Sequence, residues 1–147
     1  MAEYCSEDDL VKIRPDIMNL GVADWTDQIV EAGIIIDRSL DTDWYRSIAE
    51  NNDLDWRTSP FDRDLLLSIS TQLKRLGCYK TLELAFLFLT KPMVEDVFEQ
   101  GRKVFHKMYM DELNQALISG FDYDWDEDAS IAAGEKTLPQ VRRLVRV

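Results

Sequence analysis

Histidine occurs once in this 147-residue chain, cysteine twice, proline four times and glycine six times. The single His106 stands between Phe105 and Lys107 with no serine or cysteine nucleophile marked beside it, so no catalytic triad is supported. Cys5 and Cys78 lack CxxC spacing and a neighbouring histidine. That argues against a zinc site or a disulfide framework and fits synthesis in a reducing compartment. The two thiols read as one small buried side chain and one exposed bystander rather than as nucleophiles. The few glycines make no phosphate-cradling motif, and no Asn-Gly or Asp-Gly pair marks a hairpin. The longest nearly apolar runs, "AGIII" and "LAFLFL", are far too short to cross a bilayer. The acidic opening "MAEYCSEDD" predicts no signal peptide. No constellation supports an enzyme, and no cofactor is expected.

Bases are also scarce. Lys and Arg number 17 against 28 Asp and Glu, a net charge of −11. The imbalance is uneven. Residues 122–135 hold Asp122, Asp124, Asp126, Glu127, Asp128 and Glu135 with no base, whereas residues 136–147 hold Lys136, Arg142, Arg143 and Arg146 with no acid. Setting aside those four bases leaves −15 on residues 1–135. Such a body repels nucleic acid at close range rather than binding it. With so many acids, chance carboxylate pairs carry no catalytic meaning; Asp62 and Asp64, for instance, flank a predicted helix start, where they complement the macrodipole.

What is present is helical periodicity in a length that suits one domain, able to bury roughly 70% of its unfolded surface. Ser6 with Asp9 three residues on predicts a capped helix near 7–13. Asp24 can cap a longer helix in which Ile29, Gly33, Ile36 and Leu40 recur on one face, continuing as far as Tyr45. "ENND" reads as a turn, followed by a loop. Ser59-Pro60 predicts a new helix whose face of Leu65, Leu66, Ile69, Leu73 and Leu76 ends at Gly77. Residues 78–90 are apolar almost all round and predict a central helix. Thr90 and Pro92 open another, with Val94, Val97, Phe98, Gly101, Phe105, Met108 and Leu113 as its stripe, stopped by Gly120. Trp25 reads as core. Trp44 and Trp56 bracket the loop and pin it down or anchor a partner, pinning being favoured. The expected fold is all-α: a bundle of four to five helices over 1–120, an acidic loop or hinge over 121–136, and an extended basic arm over 137–147.

The stretch "DWDEDASIAAGE" has nearly the spacing of an EF-hand calcium loop, with Asp124, Asp126, Asp128 and Glu135 at its first, third, fifth and twelfth positions. Three faults count against calcium. Ala129 replaces the usual glycine, Pro139 disturbs the exiting helix, and only one such loop exists, so an acidic linker is the default reading. After it, "TLPQVRRLVRV" suits an extended arm that pairs with a sheet edge or groove through Leu138, Val141, Arg142, Arg143, Leu144, Val145, Arg146 and Val147.

Taken in order, "YCSEDDLVKIRPDI", "DWTDQIVEAGIIIDRSL", "LKRLGCYKTLELAFLFLT" and "YMDELNQALISGFDYDWDEDASIAAGE…VRRLVR" resemble the head–tail connector, or adaptor, proteins of tailed bacteriophages. The likeness spans nearly the whole chain and rests on pattern and order. It implies a helical bundle that assembles into a ring, usually of twelve copies, beneath the portal protein at the capsid vertex of the virion. Such a ring extends the DNA channel, through which DNA passes without specific binding, and receives a downstream neck or tail protein. In that family the C-terminal segment reaches a neighbouring component, a place held here by residues 138–147. A calcium-binding helical regulatory module using residues 124–135 is the alternative. A DNA-mimicking regulator would suit the acidity but not the basic arm.

Overall fold

The computed structural model describes residues 3–67, 69, 73–90 and 97–125. The fold is all-α. Helices α1 (Glu7–Ile13), α2 (Thr26–Leu40), α3 (Arg46–Asn51), α4 (Lys74–Leu89) and α5 (Val97–Ser119) follow in order, with 3-10 turns at Ile17–Asn19 and Arg63–Leu65. Helix α4 packs against α5, α2 and α1, and is the centre of the bundle.

The helix starts follow local chemistry. Ser6 and Asp9 form a reciprocal capping box, each side chain meeting the other's backbone N–H. At α2 the Asp24 carboxylate accepts from the Thr26 N–H, and Glu7 of α1 accepts from the Trp25 N–H. The expected stripe of Ile29, Gly33, Ile36 and Leu40 faces inward. Helices α2 and α3 are joined without a break by a π-turn over Asp41–Tyr45, closed by the Arg46 N–H bonding to the Asp41 carbonyl. Trp44 and Tyr45, both in that turn, are buried. Asp53, in the left-handed region at φ 59°, makes the expected turn after α3.

Residues 60–67 differ from the expected helix. The Ser59-Pro60 signal opens no α-helix: the chain makes the 3-10 turn at Arg63–Leu65 and then an antiparallel bridge between Leu66 and Tyr123. The physical reason is that residues 121–124 offer a backbone partner from far along the chain. The Leu67 N–H donates to the Asp122 carbonyl and the Asp124 N–H to the Leu65 carbonyl. Asp62 caps the short turn through the Asp64 N–H, and its own N–H donates to the Tyr123 hydroxyl. Gly77, expected to stop a helix, lies inside α4, where Tyr4 leaves no room for a side chain. Gly120, at φ 78°, does end α5, with its N–H on the Ala116 carbonyl.

Two core clusters result. One surrounds Trp44 and Tyr45 with Phe121 and Tyr123; the other surrounds Trp25 with Leu10, Ile17, Leu82 and Phe86. Trp25 is fully buried, and its ring N–H donates to the Ile17 carbonyl. The α4–α5 crossing depends on Gly101, where a Cβ would stand 2.3 Å from the Phe86 ring. Phe86 is itself enclosed by the edges of Phe98 and Phe105 and cannot swing away. Alanine at position 101 gains about 1 kcal/mol of helix propensity but overpacks the crossing by roughly 3 kcal/mol. We expect Gly101→Ala to lower the urea midpoint; an unchanged or higher midpoint would show that the crossing can open.

Candidate functional site

Polar chemistry inside the bundle is used to hold helices together. Glu83 on α4 is almost buried; it accepts from the Lys80 ammonium at 2.9 Å and meets His106 Nδ1 of α5 at 2.9 Å. His106 is half exposed and its ring nitrogen meets this carboxylate, so it joins α5 to α4. The guanidinium of Arg63 bonds both oxygens of Asp37, with its Nε at 3.0 and 3.1 Å. The same carboxylate accepts the Tyr4 hydroxyl, and Arg63 stacks over the Tyr4 ring at 4.6 Å. Burial opposes the Arg63 charge, but the Asp37 hydrogen bond and field outweigh it and hold the guanidinium above its ordinary value. Burial first, then Asp37, pushes the Tyr4 phenol far up, so it stays a neutral donor. This network fixes the N-terminal segment and the 61–67 segment onto α2.

The loop bracketed by Trp44 and Trp56 is pinned. Trp44 is fully buried. Trp56 lies partly buried with Arg46 and Arg57 over its ring at 4.1 and 4.5 Å. The Tyr45 hydroxyl donates to the Ser59 carbonyl. The acidic stretch begins as part of the same body: Phe121 and Tyr123 are core, and Trp125 stacks on Tyr45 with an interplanar angle of 6°. Asp124, the first position of the calcium-like spacing, is 4% exposed. Asp126, Asp128 and Glu135 lie outside the described residues, as do arm residues Leu138, Val141, Arg142, Arg143, Leu144, Val145, Arg146 and Val147. Among the described residues no group of three or more His, Cys, Asp or Glu side chains could hold a metal, and no helix is long and apolar enough to cross a membrane.

The feature the sequence reading did not single out is an outward face built from α2 and α4. An open groove of about 390 Å³ runs between them, floored by Leu84, Leu87 and Phe88 and rimmed by Asp27, Gln28 and Glu31. Phe88 is 64% exposed and Leu87 53%. Beside them on α2, Val30 and Ile34 are exposed four residues apart, on the same side as Asp27 and Glu31. Val97 and Val104 add exposed apolar positions on α5, so Val97 departs from the stripe expected there. The signal was present in part. Residues 78–90 are apolar almost all round, and Val30 with Ile34 makes a second apolar row beside the buried stripe of α2. A helix apolar on more than one face needs cover on more than one face.

No family model, curated protein or solved structure matches the chain.

Proposed function

We propose that the protein is a structural component of a tailed-bacteriophage virion: a head–tail connector whose copies form a ring under the portal, extend the DNA channel and receive a neck or tail protein. The observation that carries this reading is the α2–α4 face. A bundle of this size that leaves Val30, Ile34, Leu87 and Phe88 in water has apolar surface suited to repeated burial against a neighbouring copy. The order of helices, acidic stretch and basic C-terminal segment supports the same reading, as does the sequence resemblance. A body carrying −15 on residues 1–135 lets DNA slide past where its acids line a channel. The arm residues Leu138–Val147 are then the contact to the next component, their backbone pairing and their arginines meeting acids.

Negative-stain imaging of the full chain at high concentration, alone and with portal rings, tests the assembly. Open-centred rings in either setting are expected, and a monomer in both overturns the reading. Deleting residues 137–147 is expected to leave the helical circular dichroism and melting temperature unchanged while abolishing particle joining. Normal joining by the truncated chain removes the role given to the arm.

A further inference from the structure

Cys5 and Cys78 are 73 residues apart in sequence, yet their Sγ atoms are 3.0 Å apart. Both are free thiols and both are buried, which corrects the expectation that one would be an exposed bystander. The reason is Gly77. A Cβ there would stand 2.6 Å from Tyr4 Cβ and 3.0 Å from the Tyr4 backbone, so only glycine lets the N-terminal segment lie directly on α4. Tyr4, bonded to Asp37, and the capping box at Ser6 hold that segment in place on either side of Cys5. The approach of the two sulfurs is therefore set by packing on both sides of the pair.

A cavity of about 430 Å³ lies beside the pair, with Cys78 among its lining residues and Cys5 not. Its walls carry Lys12, Lys74 and Arg75 against Asp9 and Glu112. Asp9 is already engaged by Lys74 at 3.4 Å and Lys12 at 3.9 Å. Three bases against two acids leave the lining with one excess positive charge, which suits a small molecule bearing carboxylates.

We propose that Cys5 and Cys78 are a redox site that exchanges with a small anionic disulfide of the glutathione class and closes to an intramolecular disulfide. Cys78 is the attacking sulfur. Its thiolate bonds to one sulfur of the incoming disulfide, whose S–S bond breaks, and the first thiol leaves with the proton Cys78 gave up. Cys5 then loses its proton and attacks the Cys78 sulfur. The Cys5–Cys78 bond forms, and the second thiol leaves with that proton. Two protein thiols are oxidised and one disulfide is reduced to two thiols, so electrons and protons balance. The hydrogen bond from Cys5, helped by Lys74 and Lys12 against burial and Asp9, draws the Cys78 thiol below its ordinary value. The same pairing, together with burial, pushes Cys5 up. The order of attack follows from this difference and from the cavity.

The closed bond ties the N-terminal segment to α4 across a loop of more than 70 residues, a large restriction on the unfolded chain. The inference is independent of the connector reading. The test equilibrates the reduced full chain with oxidised glutathione, followed by intact mass, peptide mapping and thermal melting. Expected are loss of two hydrogens, one crosslinked peptide pair joining Cys5 to Cys78, and a melting temperature raised by about 10 °C, all reversed by dithiothreitol. In Cys5→Ser a single glutathionyl group accumulates on Cys78, while Cys78→Ser leaves Cys5 unmodified. The proposal is overturned if the folded wild-type chain stays unmodified while the urea-unfolded chain oxidises fully. It is also overturned if only crosslinks between chains form, or if the adduct falls on Cys5. Because the wild-type chain is decisive, a variant that fails to fold does not rescue it.

Discussion

Trp44→Ala is expected to lose about 4 kcal/mol of stability, the scale of removing a fully buried aromatic side chain. Against a total of roughly 5–15 kcal/mol for a domain this is severe, and it lowers the melting temperature by about 10–15 °C. Trp44 is 0% exposed and meets Phe121 edge-on at 5.1 Å, Tyr123 at 5.8 Å and Trp125 at 6.0 Å. Its loss therefore acts on the 121–125 segment, whose aromatic rings pack on it. Near-ultraviolet circular dichroism and proteolysis after Phe121 should report that segment loosening before the helices melt. Trp56→Ala is the contrast, since Trp56 is partly buried beneath two arginines and its removal is expected to cost about 1 kcal/mol. A Trp44→Ala melting temperature within about 3 °C of wild type would remove this cluster as the anchor of the acidic stretch.

The second large effect lies at Asp37. Asp37→Ala leaves the Arg63 guanidinium, with a side chain 9% exposed, without the carboxylate that holds it, and takes the acceptor from Tyr4. The cost of breaking a buried pair by removing one partner is about 3–5 kcal/mol, and the lower end applies because the Asp37 side chain is 29% exposed. Adding Arg63→Met should recover much of the loss, since the buried guanidinium goes with it. Urea unfolding of both single variants and the double variant measures this directly. If Asp37→Ala alone costs less than about 1 kcal/mol, the pair is a surface ion pair and does not clamp α2 to the 61–67 segment.

These two sites differ in how far they could be read from sequence. The capping box at Ser6 and Asp9, the stripe of α2 and the stop at Gly120 are local patterns, and each is where the periodicity and cap chemistry place it. The pinning of the loop was legible only in part: Trp56 does hold it, beneath Arg46 and Arg57, whereas Trp44 packs on residues 121–125. The Arg63–Asp37 clamp had no sequence signal, because an arginine and an aspartate 26 residues apart are indistinguishable from the chain's many other charges. The helix expected after Pro60 shows the limit most plainly. Leu65, Leu66, Ile69, Leu73 and Leu76 do fall at helical spacing, yet residues 65–67 take their backbone partners from residues 122–124.

By itself the sequence determined that the described body is all-α, where α1 and α2 begin and where α5 ends, which stripe of α2 faces inward, and that acid and base are divided between body and C-terminal segment. These follow from contacts within a few residues: caps, turn residues and helical periodicity. Only the tertiary structure decided that Cys5 meets Cys78, that residues 121–125 close over Trp44, and that Leu87 and Phe88 face outward beside Val30 and Ile34. Each of those depends on which segments share space after the helices have packed. Gly77 and Gly101 show why. Both read in the sequence as a break or a stripe member, and both turn out to be places where the absence of a side chain lets two distant parts of the chain touch.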